Sequence, residues 1–417
     1  MKKYICSNIP SKKIIQDYTS REYKKFKKRY SEPINANETS NNTILSQNVQ
    51  LSMNVQKTHL NNNVLVVENG KQSDIVKQNI LQANSNFVVV DPEGELLNST
   101  KSILEKQGYT IKTINFINPE TSDHYNPFQY FSNEYDAYEL MENLLQDVKS
   151  DEYTEPFWKD AKKVLLQAVL FYLVNYGDKK EKQLSSVIKL LYDSLLNEGN
   201  PDKKTKLDII YETIGTKNPD DLGYKAYLKF KRCGDVKIRY FVINDCLHQL
   251  AFLRTSEAEQ ITNNDTLDLI TFGDTKQAIF IIIPQNNNMY KPLITILYSQ
   301  MYNIFYNHVV AMHSKHYAFK TRFFFNDFQN IGKICRFRHM IAASWIYDMS
   351  YFFVVHDIKD VKQLYEKKDA ADIIGNCDSV VFYDNDEILL KYNECFVLLR
   401  QTQIFIDNII EKRKPQG

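Results

Sequence analysis

The chemistry this chain could perform begins at Asn69-Gly70-Lys71-Gln72-Ser73. An apolar run, Val64 to Val67, feeds the Gly-Lys pair, and a helical pattern follows from about Asp74 to Asn84. Strand, loop and helix in that order is the setting in which backbone N–H groups curl around a phosphate and a lysine neutralises it. The full pattern, G-x-x-x-x-G-K-[ST], is incomplete here. Only Glu68 and Asn69 separate Val67 from Gly70, the first glycine is missing, and Gln72 stands where a magnesium-binding hydroxyl belongs. Ser73 offers a hydroxyl one residue late, and Lys71 still offers a cation. Glu68 occupies a place where glycine would approach the phosphates. A carboxylate ~5 Å from a phosphate charge costs on the order of 3 kcal/mol at an effective dielectric near 20. The scaffold of a nucleotide site is legible; its phosphate cradle is not.

The elements that would position this loop follow from composition and periodicity. A chain of 417 residues has the length for two or three domains and a sizeable core. Its 43% hydrophobic and 13% aromatic content excludes a disordered chain. The 52 basic residues nearly cancel 51 acidic ones, so any nucleic-acid surface must be local. Six dispersed cysteines with no C-x-x-C pair argue for a reducing compartment and against a disulfide framework or zinc site. No apolar run reaches the ~18–20 residues needed to cross a bilayer, and residues 1–11 lack a signal peptide's apolar stretch. The longest run, Val164 to Val174, is interrupted by Gln167 and reads as a core helix. The expectation is a cytoplasmic protein without a transmembrane segment.

Residues 1–42 form a polar arm with a basic cluster at Lys24–Arg29 and an Asn-rich linker at Asn35–Asn42. An α/β pattern covers 43–132. Strands are expected at Asn63–Val67, Phe87–Val90 and Thr110–Asn115, with helices at Asp74–Asn84 and Leu96–Gln107 between them. Asp91-Pro92-Glu93-Gly94-Glu95 follows the second strand, the end at which such sheets place ligands. Helical spacing dominates 133–255, with apolar residues at i, i+3 and i+4 in Trp158–Tyr176, Leu184–Leu196 and Ile238–Leu253. The α/β pattern resumes over 256–417. It predicts strands at Ala278–Pro284, Arg322–Phe325, Tyr351–Val355, Ser379–Tyr383 and Cys395–Arg400, and a long helix at Leu293–His313. The architecture expected is a mostly parallel α/β sheet interrupted by an all-α insertion. His308, His313 and His316 cluster near one helix end; without acidic or cysteine ligands nearby they read as surface histidines.

Several segments, in order, make the chain resemble the TraG/TraD-like coupling proteins of type IV secretion and conjugation. They are Thr43-Ile44-Leu45 with Leu51-Ser52-Met53, Lys57-Thr58-His59-Leu60 through Val67, and Leu81-Gln82-Ala83-Asn84 with Phe87–Pro92. Tyr125-Asn126-Pro127-Phe128, Pro156-Phe157-Trp158, Asn330-Ile331-Gly332 and Ile373–Asp378 extend the match. The resemblance implies a RecA-like P-loop NTPase fold and a hexameric motor, with nucleotide between subunits, that drives a relaxase-bound DNA strand into a secretion channel. It also implies an all-α domain that sorts substrates. The family's N-terminal membrane anchor is missing here, which leaves a peripheral place at the inner face of the membrane.

The same resemblance assigns roles that the residues do not fill. Phe323-Phe324-Phe325-Asn326-Asp327 matches the strand that ends in adjacent Asp and Glu, so Asn326 replaces a metal-orienting carboxylate and Asp327 replaces the water-activating Glu. Trp345 matches an arginine finger, whose guanidinium contributes ~10³–10⁵ in rate. His356 matches a glutamine that senses the γ-phosphate. The candidate site is therefore Asp327, Asn326 and His356, with Asn69, Gly70, Lys71, Gln72 and Ser73 as a degenerate cradle. The reading is a pseudo-NTPase with no cofactor expected, acting by partner or DNA binding, within the secretion machinery and as a homo- or hetero-hexamer. The alternatives are an active DNA-translocating ATPase using ATP and magnesium with atypical motifs, or a decaying mobile-element remnant.

Overall fold

The computed structural model describes residues 31, 41–68, 74–131, 134–145, 156–195, 203–284, 289–311, 316–383, 394–399 and 403–408. The basic arm at Lys24–Arg29 lies outside the described residues. The first described elements are β1 (Asn42–Ile44), β2 (Gln50–Ser52), α1 (Val55–Thr58), β3 (Val64–Val67), α2 (Ile75–Leu81), β4 (Asn86–Pro92), α3 (Glu95–Lys106) and β5 (Thr110–Asn115). Helices follow: α4 (Glu134–Leu144), α5 (Pro156–Asn175), α6 (Leu184–Tyr192), α7 (Lys206–Lys217), α8 (Leu222–Lys231), α9 (Val236–Gln249) and α10 (Ser256–Thr262). Then come β6 (Gln277–Ile283), α11 (Lys291–Ala311), β7 (Thr321–Phe325), α12 (Phe337–Ala343), β8 (Met349–Val355), α13 (Ile358–Leu364), α14 (Lys367–Gly375), β9 (Ser379–Phe382), β10 (Glu394–Leu399) and β11 (Gln403–Asn408).

The chain divides into two compact units. One holds residues 1–113, 271–286 and 305–417; the other holds 114–270 and 287–304. The first unit is built on a nine-stranded sheet of order β11-β10-β9-β3-β8-β7-β4-β6-β5. The pairs β3/β8, β3/β9, β4/β6, β4/β7 and β7/β8 are parallel, whereas β10 lies antiparallel to β9 and to β11. Strands buried on both faces read as unbroken apolar runs, which is why Val64–Val67 and the Phe323–Phe325 end of β7 show no polar alternation. One face collects Val64, Val66, Phe87, Val89, Phe324 and Phe352 against Ile75, Ile80 and Leu104 of the helices. The opposite face holds an aromatic cluster: Phe323 stacks on Tyr351 at 5.1 Å, and Phe328 meets Phe353 edge-on at 5.0 Å.

Buried asparagines lock the amino ends of the central strands. Asn63, fully buried, accepts the Tyr351 backbone N–H at 2.9 Å. Its amide donates to the Ile341 and Asn376 carbonyls at 3.3 and 3.1 Å. Asn61 accepts the Asp378 N–H and donates to the Asn376 carbonyl, and Asp378 in return accepts the Asn61 N–H at 2.7 Å. Asn86 plays the same part for β4, donating to the Thr275 carbonyl at 2.8 Å and accepting the Gln277 N–H at 3.0 Å. Asn79 on α2 accepts the Ile44 N–H and donates to the Ile44 carbonyl, which fastens β1 to the core. Asn42, expected in a linker, is instead a fully buried residue of β1. The β1–β2 hairpin is too short and too polar to give a strand signal on its own.

Arg322 is the anomaly of this core. Its side chain is buried beside the Phe324 ring, 5.0 Å from the centroid, and reaches only Asn79 Oδ1, at 3.2 Å; Nε and Nη1 have no hydrogen-bond partner. Burial alone pulls the guanidinium down to about 9.

The second unit is helical. Four short caps delimit its helices: Thr205 with Asp208 forms a capping box at α7, and Asp221, Asp235 and Thr255 accept N-terminal N–H groups of α8, α9 and α10. Gly223 lets α8 approach the neighbouring helices closely, since a Cβ there would sit 2.5 Å from the Tyr211 hydroxyl. Asn126 explains the Tyr125–Phe128 segment: it accepts the Phe128 N–H and donates to the Lys182 carbonyl at 2.8 Å.

Two stability outcomes follow from this packing. Asn63→Ala strands the buried Tyr351 N–H, while the Asn376 and Ile341 carbonyls keep Asn61 and Ser344 as donors, and should lower the unfolding free energy by about 1–3 kcal/mol in urea titrations. Arg322→Met removes an unpaired buried charge, and should raise the urea midpoint by an equivalent of about 1–3 kcal/mol.

Candidate functional site

The sheet order places β8 between β3 and β7, so the carboxyl ends of these three strands converge. Glu68 leaves β3 with its N–H bonded to the Val355 carbonyl at 2.9 Å, and its side chain is buried. His356, next after β8, turns its imidazole between the other two strand ends. Nδ1 lies 3.4 Å from the Glu68 carbonyl oxygen and Nε2 lies 3.9 Å from Asp327 Oδ1. Asp327 adopts the left-handed conformation, φ +71°, which turns the chain sharply after β7. The Asn330 amide donates to Asp327 Oδ2. The backbone N–H groups of His356 and Asp357 both donate to Asp360 in the capping box that opens α13.

The fold thus brings Asp327 and His356 together, with Asn326 beside them in sequence. Asn69, Gly70, Lys71, Gln72 and Ser73 lie outside the described residues. Trp345 is not part of this group. It occupies the turn before β8, at the opposite end of that strand from His356, and is 49% exposed. Asn330 was marked by sequence only within the Asn330-Ile331-Gly332 segment of the resemblance and not as a site residue; its place three residues after Asp327 in a short turn brings it to the site.

On a sheet of this kind the group to weigh is a magnesium triphosphate. Such a group needs positive charge or clustered N–H donors at the phosphates and carboxylate oxygens for the metal. These described strand ends carry the carboxylates of Glu68, Asp327 and Asp357, the neutral amide of Asn326 and the imidazole of His356. Asp327 is bound to the Asn330 amide, and among the described residues no three His, Cys, Asp or Glu side chains are grouped to hold a metal ion. What the arrangement can do is hydrogen-bond and hold the strand ends together.

Two other candidates resolve into structure. Asp91, at the end of β4, spends both carboxylate oxygens on the first turn of α3, accepting Leu96 N–H at 3.0 Å and Leu97 N–H at 2.7 Å. Desolvation raises its pKa from 3.8 to about 6 against the lowering effect of those two donors. The histidines also have local partners: His308 stacks on Tyr317 at 3.8 Å and His316 Nδ1 lies 2.5 Å from Asp348. His313 lies outside the described residues.

Comparison with known proteins gives a family and a fold. The family model described as Type IV secretory system Conjugative DNA transfer matches residues 64–391. No curated protein matches the chain. Among solved structures, the plasmid coupling protein TrwB in complex with the non-hydrolysable ATP analogue ADPNP is similar at 12% identity. That match covers 96% of this chain and 94% of the other, with a TM-score of 0.65. TrwB in complex with ADP and Mg2+ matches with the same identity and coverage and a TM-score of 0.64. The unbound monoclinic form of this bacterial conjugative coupling protein gives 0.63 at 12% identity, over 94% of this chain and 93% of that one. At this identity the likeness establishes the fold, a P-loop NTPase sheet flanked by helices. Among the described residues, no helix is long and apolar enough to cross a membrane.

Asp91 yields a pH dependence with a defined sign. Its carboxyl binds a proton more tightly folded than unfolded, so its contribution is complete below pH 3.8 and is lost as pH rises through 6. The stability difference between the native chain and Asp91→Asn should therefore shift against the native chain by up to about 3 kcal/mol between pH 4 and 7. Urea unfolding of both proteins across that range measures it; a pH-independent difference contradicts the assignment.

Proposed function

Because the chain belongs to the type IV secretory system conjugative DNA transfer family, we propose that it is a coupling-protein relative that acts by binding, with nucleotide hydrolysis lost. The observation that carries this reading is the environment of Asp327. Phosphoryl transfer on such a fold requires charge and positioning more than covalent chemistry. Where an acid pair would hold metal and activate water, this chain offers an amide, Asn326, and an aspartate bound to Asn330 and faced by His356. The neighbouring strand end adds Glu68, a further negative charge beside the place for phosphates. Trp345 supplies no cation for a neighbouring subunit's site.

On this reading the chain works inside the conjugation and type IV secretion machinery. It joins a homo- or hetero-hexamer, sits peripherally at the inner face of the membrane, and contacts relaxase-bound single-stranded DNA or its protein escort without driving it. A fold that tolerates loss of the nucleotide chemistry suits a subunit whose surface is its function. The competing reading, an active translocase with atypical motifs, draws support from TrwB, which holds ADP and Mg2+ on a similar sheet.

Phosphate release from ATP by the purified full chain, with magnesium and with and without single-stranded DNA, separates the two. The expected result is no release above the protein-free blank, and no saturable binding of a fluorescent ATP analogue at micromolar protein. DNA-stimulated release that disappears in Lys71→Ala would establish the active translocase instead.

A further inference from the structure

Positive charge in this chain is concentrated in its first thirty residues. They carry ten Lys or Arg against two Asp or Glu, whereas residues 31–417 carry 42 against 49. Five of the ten fall within Lys24-Lys25-Phe26-Lys27-Lys28-Arg29, and Tyr23, Phe26 and Tyr30 recur through that stretch. Residues 1–30 lie outside the described residues, but the place where they join the fold does not. Ser31, the next residue, is buried. Its hydroxyl donates to the Gln50 carbonyl at 2.5 Å, and its own carbonyl accepts Lys57 Nζ at 3.0 Å. The arm therefore joins the fold beside β2 and α1.

Two hydrogen bonds lead from that junction to a second feature. Lys320 Nζ donates to the carbonyl of Met53, between β2 and α1, at 3.0 Å, and the Thr321 N–H at the start of β7 donates to the Asp348 carbonyl at 2.9 Å. Asp348 ends the turn before β8, and that turn presents Trp345 and Ile346 to solvent, 49% and 41% exposed. Tyr306, near the end of α11, packs edge-on against Tyr347 at 5.3 Å, and Val310, one turn further along the helix, is 55% exposed. Ser31, Lys57, Lys320, Trp345 and Val310 all belong to the first compact unit. They gather where β7 and β8 begin, the end of the sheet opposite His356. Two acids at this end are already engaged: Asp378 accepts the Asn61 N–H, and Asp348 lies 2.5 Å from His316 Nδ1.

We propose that this end of the sheet and the basic arm that joins it form a surface for an anionic lipid bilayer. The arm's cations meet phospholipid headgroups, while Trp345, Ile346 and Val310 enter the headgroup boundary. The proposal rests on the peripheral membrane placement given above and names the chemistry that holds it. A cluster of about four to eight Lys or Arg is drawn to the negative surface of such a bilayer, and aromatic side chains favour its interface. A basic patch holds far better when an apolar group inserts beside it. The aliphatic side chains select lipid over nucleic acid. Tryptophan and tyrosine rings can stack on bases, but Ile346 and Val310 gain little from a phosphodiester strand, whereas both shed exposed apolar area at an acyl boundary.

The test floats the full chain with vesicles of phosphatidylcholine, alone or mixed with phosphatidylglycerol. Partition onto the anionic vesicles should exceed that onto neutral ones at least about tenfold, and fall as NaCl rises from about 0.1 to about 0.5 M. Lys24→Gln, Lys25→Gln, Lys27→Gln, Lys28→Gln and Arg29→Gln together should weaken it about tenfold or more, and Trp345→Ser with Ile346→Ser about tenfold. Unchanged circular dichroism of the variants shows that the fold is retained. With Trp158→Phe, Trp345 becomes the chain's one tryptophan. Its emission should then move to shorter wavelength on anionic vesicles and be quenched by brominated acyl chains. Equal partition onto the two vesicles, or floated protein whose Trp345 emission is unmoved, overturns the proposal. An emission shift caused by oligo(dT) but not by vesicles overturns it in favour of a nucleic-acid surface. A shift caused by protein concentration alone overturns it in favour of contact with a second copy of this chain. Phosphate release keeps the two readings apart: no vesicle binding with no ATP turnover sinks this proposal alone, and vesicle binding with DNA-stimulated turnover sinks only the earlier one.

Discussion

A parallel sheet leaves backbone donors and acceptors at the ends of its strands with no partner in the ladder, and in a buried core each such group costs about 1–3 kcal/mol if unmet. This protein meets that demand at the amino ends with side-chain amides. Asn63, Asn61 and Asp378 tie the start of β3 to β8 and β9, and Asn86 ties the start of β4 to the strand β6 beside it. An amide is suited to this because it donates and accepts at once without charge. The register of the central strands is therefore held at the end away from the candidate site.

That division of labour separates what holds the sheet from what lines its candidate site. At the carboxyl ends the links are sparser: the Glu68 N–H bonds to the Val355 carbonyl, and His356 approaches Glu68 and Asp327. The β3–β8–β7 ladder is already held by parallel pairing, by the aromatic stacking of Phe323, Tyr351 and Phe353, and by the asparagines. Substitution there changes electrostatics without dismantling the core. The carboxyl ends carry Glu68 and Asp327, and His356 Nε2 stands 3.9 Å from Asp327 Oδ1. Asp91 makes the same point at β4, where a carboxylate in a ligand position caps a helix.

The helical unit reverses the pattern. Its acids serve helix caps and ion pairs: Asp221 and Asp235 cap α8 and α9, and Asp208 both closes a capping box and pairs with Lys231.

Strand and helix identities were largely legible from residue pattern. Val64–Val67, Phe323–Phe325 and the Ala278–Ile283 stretch of β6 are runs whose burial on both faces leaves a continuous apolar signature, and α5 and α11 have the length and spacing of core helices. The missing glycine, Asn326 and Trp345 were likewise visible, because a departure from a motif is a local fact. What sequence by itself could not decide was adjacency. His356 approaches Asp327 because β8 is inserted between β3 and β7, and Asn63 is buried because Ile341, Tyr351 and Asn376 close over it. Read as sequence, Asn61-Asn62-Asn63 looks like a polar loop. Only a tertiary arrangement that brings unmet backbone groups from some three hundred residues away makes it a structural core. Residue type sets what each group can bond; which groups it meets is decided by strand order, a property of the whole chain.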